Sequence, residues 1–555
     1  MTSFRIGEIM GEPTESSSAR IGRQEKFRKV LSFWDIYFIS LGGTIGSAWL
    51  FGSVYGAAAA GPAATLSWIL GGIFVIFIAL TWAEIGGMLP STGAVVRAPQ
   101  YAHGYFTGFY FGWAYYISAV AIPPVEAIAI VTYASAYVPA LIKDGVLTLQ
   151  GYAVGVSIMV FAFLLNSFGI RLFARFNTGI TCWKLLVPTV SIIVAFLYFY
   201  PPNFSSFGGF APYGFPPIFS AVGTAGIVFA YMGFREALDY SGEARNPARD
   251  VPRAMILSLL TTIVVYSLLQ AAFIGGLRWN ASGLPGGDWV DLANRSVYSK
   301  APYFELMSIL GVSSLATVLL FDAVVSPLGT VGVYTGSSAR DLFALVEGGH
   351  TPSMFGEVHH KYGVPRAALL LSLGIGILFL FIFPSWGSLA TVVTTAIVFT
   401  QLAGATSLMS LRRTAPELSR TFRLPAARLL APLAFIMSSL IIYWTTWPYT
   451  GYAFVIVLTG VVLFIAAKAR GAYPISDVKR GMWIVIYSVV LVILSYFGSY
   501  GLGYVPFPID FIVIAVVAAL FYYWGVRSGY ETIELKKLKT HESTTQRLRE
   551  MSTLF

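Results

Sequence analysis

Stretches of about 18 or more mostly apolar residues recur from one end of this chain to the other, and they limit its folds more than anything else in the sequence. A helix of that length matches the hydrocarbon thickness of a bilayer. Fourteen such spans can be drawn, at roughly 32–58, 62–88, 105–139, 150–169, 176–199, 217–234, 254–277, 303–335, 367–384, 388–411, 429–447, 450–467, 481–500 and 508–526. Hydrophobic residues make up 56% of the chain and charged residues 11%, more apolar surface than a soluble core of this size needs, so the excess must face lipid. The expected class is an all-α, multi-pass membrane protein of about 14 transmembrane helices. The single cysteine, Cys182, excludes an intrachain disulfide and a cysteine-based metal cluster. The 55 glycines and 28 prolines suit close-packed and broken membrane helices.

Orientation follows from the basic residues. The chain begins polar and basic, without the short apolar core of a signal peptide, which predicts a cytoplasmic N-terminus. With that start, 31 of the 36 Lys and Arg fall on the inside, and only Lys143, Arg278, Arg295 and Lys300 fall outside, leaving Lys184. An even number of spans returns the C-terminal tail to the cytoplasm and places the protein in the cell membrane. The net charge of +10 is thus a topology signal and does not argue for nucleic acid. The glycosylation-type tripeptides at Asn203, Asn280 and Asn294 all fall in outside loops.

Lys184 is read as the only Lys or Arg away from a loop, a segment end or a tail. It lies about nine residues beyond Arg175, which at ~1.5 Å per residue places it ~13 Å deep, near the bilayer midplane. A cation there costs roughly 2.5–3.5 kcal/mol on insertion scales, so it marks either a functional, titrating site or a structural lysine bonded to the carbonyls of a broken helix. Glu126 in span 3 and Asp322 in span 8 are the two deep acids. Each is a candidate to relay protons, pair with Lys184 or meet a cationic substrate, or else to be a buried acid bonded to an amide or hydroxyl.

Two spans carry the marks of helix breaks. Span 1 contains Gly42-Gly43-Thr44-Ile45-Gly46-Ser47-Ala48, and span 6 contains Phe229-Ala230-Tyr231-Met232-Gly233-Phe234. Each glycine costs a helix about 1 kcal/mol relative to alanine, and main-chain groups freed in mid-membrane must bind something. The breaks lie five spans apart in oppositely directed helices, which predicts inverted copies of helices 1–5 and 6–10. Half-helix N-termini then face a carboxylate and free carbonyls face an ammonium group, which together describe a zwitterion site. Close glycine packing between helices is the alternative.

At these residues the chain resembles the amino acid–polyamine–organocation (APC) superfamily permeases. The helix 1 pattern G-x-x-I-G-[ST]-G is matched by Gly42, Ile45, Gly46 and Ser47, with Ala48 in place of the last glycine. The helix 6 pattern is matched from Phe229 to Phe234, and E-x-x-N-P by Glu243 to Pro247, while Arg235 replaces the usual acid. Ala83-Glu84-Ile85 with Pro90-Ser91-Thr92-Gly93 resembles the signature after helix 2, and Lys184-Leu185-Leu186-Val187-Pro188 resembles the helix 5 element of proton-coupled members. The resemblance covers about residues 30–470. It implies a substrate carboxylate held around Gly46, Ser47 and Ala48, with Gly42, Gly43 and Ile45 in the same break. It also implies an α-amino group at the carbonyls of Phe229, Ala230 and Met232 beside Gly233, with Phe229 as a gate. Lys184 is implied to occupy the place of a sodium ion.

The expected organisation is a tail at 1–30, a ten-helix core at 31–411, helices 11–12 at 412–470, helices 13–14 at 471–526 and a tail at 527–555. No phosphate-binding loop, H-E-x-x-H or nucleophile constellation is present in the sequence, so no enzyme, cofactor or metal is expected. The expected function is proton-coupled amino acid uptake by alternating access, with neutral, fairly apolar substrates favoured. Sodium-coupled or exchange transport of amino acids or polyamines is one alternative, and a non-transporting membrane sensor is another. The expected partners are an amino acid, a proton and lipid.

Overall fold

The computed structural model describes residues 29–89, 93–143, 145–383, 385–468 and 475–540. The Pro90-Ser91-Thr92 part of the helix 2 signature and the outer parts of both tails lie outside these residues. In chain order the helices are α1 (Phe33–Thr44), α2 (Ala48–Ala60), α3 (Ala64–Met88), α4 (Ala94–His103), α5 (Tyr105–Val120), α6 (Ile122–Ala134), α7 (Leu149–Ser167), α8 (Ile170–Leu197), α9 (Pro216–Thr224) and α10 (Ile227–Tyr231). They continue with α11 (Glu236–Asp239), α12 (Pro247–Gly276), α13 (Pro302–Ile309), α14 (Ser313–Glu347), α15 (Arg366–Ile382), α16 (Trp386–Thr414), α17 (Ala427–Trp444), α18 (Tyr449–Lys468), α19 (Ile475–Phe497) and α20 (Ile509–Ser528). Among the described residues the only sheet is one antiparallel pair, Ile142–Lys143 with Val146–Leu147.

Among the described residues ten helices are long and apolar enough to cross a membrane, or eleven when the bent pair Pro216–Thr224 and Ile227–Asp239 is taken as one span. Two shorter apolar helices, Arg366–Ile382 and Tyr449–Ile465, stand beside them. This is an all-α, multi-pass membrane protein. A count of fourteen requires both shorter helices and separate crossings for the two arms of Ala48–Met88.

Span 1 is broken as its sequence predicts. A capping box starts α1: the N–H of Ser32 donates to Asp35 at 2.8 Å, and the N–H of Asp35 donates to the Ser32 hydroxyl oxygen at 3.3 Å. After Thr44 the backbone leaves the helix, with Ile45 at φ −86°, ψ 89°, and Ser47 begins α2 without a side-chain cap. Span 6 bends by 54° between α9 and α10. Gly226 makes the bend with φ +76°, where a side chain would also meet the Trp386 ring at 2.7 Å.

Helix α8 shows why a lysine survives in an apolar span. Thr181, Lys184, Val187, Ser191 and Ala195 recur at helical spacing and are all buried, while Leu186, Ile193 and Leu197 lie exposed on the far side, where lipid belongs. The ammonium group therefore points into the bundle.

Three readings of the sequence are corrected. Span 8 does not run from 303: the N–H groups of Gly311 and Val312 bond back to Ser308 and Met307, ending α13, and α14 then starts afresh and continues to Glu347. Span 3 stops at Ala134. Lys184 is also not alone, because Arg235 and Arg340, assigned to loops, are 0% and 2% exposed. Both belong to a polar layer beneath the breaks. The Arg235 guanidinium lies 4.2 Å over the Tyr115 ring and 3.7 Å from Glu236. Arg340 holds Glu243 by two bonds of 2.9 and 2.7 Å and lies over the Tyr240 ring. Beside that pair the segment just before α1 is stitched down: the N–H groups of Val30 and Leu31 donate to the Glu243 carbonyl, and that of Arg245 donates to the Leu31 carbonyl. Glu84 acts similarly, gathering Arg412, Arg420 and the N–H of Leu424.

Helices α19 and α20, outside the expected repeat, pack on α17 through Tyr487 and Tyr522 against Phe435 and through Phe511 against Trp444. Single cysteines at Asn280 and Ser419, introduced into a Cys182→Ala background, should label with impermeant thiol reagents from opposite sides of the membrane. Labelling from one side would break the topology on which the inverted repeat depends.

Candidate substrate and coupling site

The two breaks meet directly. A methyl group placed on Gly233 would stand 2.2 Å from the Thr44 nitrogen and 2.4 Å from the Gly43 carbonyl carbon, so the backbones of spans 1 and 6 touch with no side chain between them. The Ser40 hydroxyl reaches the Phe234 carbonyl at 3.3 Å, and the Tyr266 hydroxyl donates to the Thr44 carbonyl at 2.8 Å. Glycine packing and helix breakage, set against each other as readings of the sequence, are both present.

Besides the Thr44 carbonyl, the main-chain groups freed by the first break are taken up by polar side chains from three further helices. Lys184 Nζ donates to the Gly42 carbonyl at 2.8 Å and to Thr330 Oγ1 at 2.9 Å. Thr330 in turn lies 2.9 Å from the Gly42 carbonyl and 3.2 Å from that of Ile45. On the other side of the break the Ser47 N–H donates to Glu126 Oε2 at 2.7 Å, and the Ser47 hydroxyl accepts from Trp386 Nε1 at 2.7 Å. All of these side chains are buried. An orphan carbonyl or N–H at this depth has no water to bond, so each of these contacts is required by the break itself.

The remaining expected residues fall as follows. Gly43 packs on the Glu236 side chain, and Gly46 lies against Glu126 and Thr330. Ala48 opens α2. The Phe229 ring meets Trp386 edge to face at 6.4 Å, and Trp386 also touches Phe51 and Tyr55, which gives an aromatic cover beside Ser47. Ala230 donates its N–H to the Gly226 carbonyl. Of the three carbonyls expected to meet an amino group, that of Phe229 already accepts the N–H of Met232. Asp322 is not at the break: its Oδ1 accepts from Ser326 at 2.8 Å, one turn away, and Thr330 lies one turn further along the same face of α14. The ladder Asp322, Ser326, Thr330 ends on Lys184. Sequence reasoning missed Thr330, Trp386, Tyr266 and the buried Arg235. Only Arg235 carried a signal, as the departure from the helix 6 pattern.

The family profile described as amino acid permease matches residues 31–495. The chain belongs to the amino acid permease family. A glutamate/serine transporter, AimA, of Bacillus subtilis (strain 168) is 38% identical over 519 residues, covering 91% of this permease and 95% of the relative. An aspartate-proton symporter of the same organism is 32% identical over 520 residues, covering 92% and 98%. A branched-chain amino acid permease, BcaP, also of B. subtilis, is 24% identical over 456 residues, covering 80% and 93%. All three relatives are named as amino acid transporters, symporters or permeases, in line with the expectation of an amino acid permease.

The contact between breaks carries a stability prediction. Gly233→Ala should lower the melting temperature of the purified permease, because overpacking against fixed backbone costs about 1–3 kcal/mol or more. An unchanged melting temperature would mean that the two breaks separate easily.

Proposed function

We propose that this permease takes up amino acids by alternating access and that protons drive it. The observation that carries this reading is the place of Lys184. Its ammonium group is buried, bonds a freed carbonyl and a hydroxyl at the helix 1 break, and forms no ion pair among the described residues. A buried cation whose hydrogen bonds go only to neutral oxygens is the candidate coupling group of this site. Losing its proton would turn a charge-assisted bond to the Gly42 carbonyl into a weaker neutral one and so loosen α1 from α8. Glu126 and the Asp322 ladder are the acids within electrostatic reach, and both belong to the proposed proton path.

In this reading the substrate carboxylate binds the N–H groups at Gly46, Ser47 and Ala48, next to Gly42, Gly43 and Ile45. The amino group binds carbonyls at Phe229, Ala230, Met232 and Gly233, and Phe229 closes over it. Residues 31–411 form the ten-helix core, and both termini lie in the cytoplasm of a cell-membrane protein. The name of one relative, an aspartate-proton symporter, supports proton coupling, and that of another, a glutamate/serine transporter, supports amino acid transport. They also shift the favoured substrates from apolar amino acids toward small polar and acidic ones. One proton crossing at 100 mV supplies ~2.3 kcal/mol, about fifty-fold accumulation of a neutral substrate.

Purified permease in liposomes should accumulate serine, glutamate or aspartate when an inward proton gradient is imposed, without sodium. Lys184→Ala should abolish that accumulation, and Gly46→Leu should abolish binding while leaving an extractable protein. Accumulation that requires sodium, or that survives in Lys184→Ala, would remove Lys184 from the coupling. Binding without flux would favour a sensor.

A further inference from the structure

The seat proposed for the substrate's carboxylate already holds a carboxylate. Glu126 comes from α6, and its Oε2 accepts the Ser47 N–H at 2.7 Å, at the start of the thirteen-residue helix α2. The first N–H groups of a helix have no acceptor within it, and Ser47 supplies no side-chain cap, so an anion at this point meets both unfilled donors and the positive end of the helix. Glu126 also lies flat against Gly46: a methyl group there would be 2.7 Å from Oε1 and 2.9 Å from the carboxyl carbon. The space that lets a substrate carboxylate approach bare backbone is the space that Glu126 fills.

Its fit is only half made. Oε1 is buried and has no hydrogen-bond donor among the described residues, whereas Glu243 and Glu84 are fully engaged. Glu243 takes two bonds from Arg340, and Glu84 takes Arg412, Arg420 and a backbone N–H. Lys184 acts on Glu126 electrostatically but spends its hydrogen bonds on Gly42 and Thr330. Asp322, Glu236, Asp239 and Asp341 also keep a bare buried oxygen, but of these acids it is Glu126 that sits on the freed N–H of the helix 1 break.

We propose that Glu126 is a built-in stand-in for the substrate carboxylate, and that the ionised side chain and a bound amino acid exclude each other at the Ser47 N–H. This rests on the carboxylate seat of the functional reading above and adds to it a reason for proton linkage. Ionised Glu126 occupies the seat in the empty transporter. When it takes a proton from the medium it loses its charge and its claim on the N–H, and the substrate carboxylate replaces it. Net, one proton and one zwitterion enter together, and departure of the substrate lets Glu126 return its proton and retake the seat. The other titratable groups facing it are Lys184 from α8 and Tyr266 from α12, and Tyr266 is already bonded to the Thr44 carbonyl.

Calorimetry on the full-length permease in nanodiscs, with L-serine and L-glutamate in buffers of differing ionisation enthalpy, tests this directly. The wild type should take up one proton per amino acid bound, and its affinity should fall about tenfold per pH unit once Glu126 is ionised. Glu126→Gln should bind with no proton uptake and little pH dependence, and more tightly than wild type at alkaline pH. Lys184→Ala should keep the proton uptake on binding. Infrared difference spectra of the wild type should show a protonated carboxyl band appearing with substrate, a readout that does not depend on the variants folding. Proton uptake that persists in Glu126→Gln, or wild-type binding without proton uptake or without the carboxyl band, would overturn the stand-in while leaving amino acid transport intact. If the wild type neither binds nor moves any amino acid, the functional reading fails and the stand-in falls with it.

Discussion

The hydrogen-bond demand of a helix broken in mid-membrane is the constraint on which the rest of this structure depends. Once α1 ends at Thr44, the carbonyls of Gly42, Thr44 and Ile45 and the N–H of Ser47 need partners in a place without bulk water. Lys184, Thr330, Tyr266 and Glu126 supply them from four different helices. The break therefore organises its own surroundings. It draws two charges to the centre of the protein, and an ammonium and a carboxylate end on opposite sides of one short stretch of backbone without bonding each other.

That arrangement explains why the second break must be so close. With Gly233 laid on Gly43 and Thr44, the unwound parts of spans 1 and 6 share one small volume lined by main chain on two sides. The polar layer below, with Arg235 over Tyr115 and Arg340 on Glu243, ties spans 3, 6 and 8 together immediately under it. A cover of Phe229 and Trp386 closes beside Ser47. Charges hold one flank of the site and aromatic rings the other.

Much of this was legible in the sequence, for reasons that differ by residue. Lys184 stood out because a cation in an apolar span is costly, and the paired glycine-rich motifs stood out because helices do not tolerate them. Arg235 and Arg340 were misplaced because a span is drawn to stop at the first charge, so a buried arginine near a helix end is counted as loop by construction. Thr330 and Trp386 could not be found at all: threonine and tryptophan are ordinary in membrane helices, and only the packing of α14 and α16 against the break gives them a role. The junction between α13 and α14 was invisible for a related reason, since 303–335 is apolar on both sides of the turn at Gly311.

The meeting of two bare backbones also bears on how such a protein changes over evolutionary time. A peptide N–H or carbonyl is the same whichever residue carries it, so in the proposed binding mode most substitutions near the breaks would leave the grip on the common part of an amino acid untouched. Selection can then act on the few side chains that face the variable part of the cargo, one substitution at a time, without rebuilding the handle. Relatives named for glutamate and serine, for aspartate and for branched-chain amino acids are what such a division of labour would produce. The glycines are the exception, because their lack of a side chain is the feature being used. Drift should be slowest at Gly46 and Gly233, and fastest among the residues that only the cargo's side chain touches.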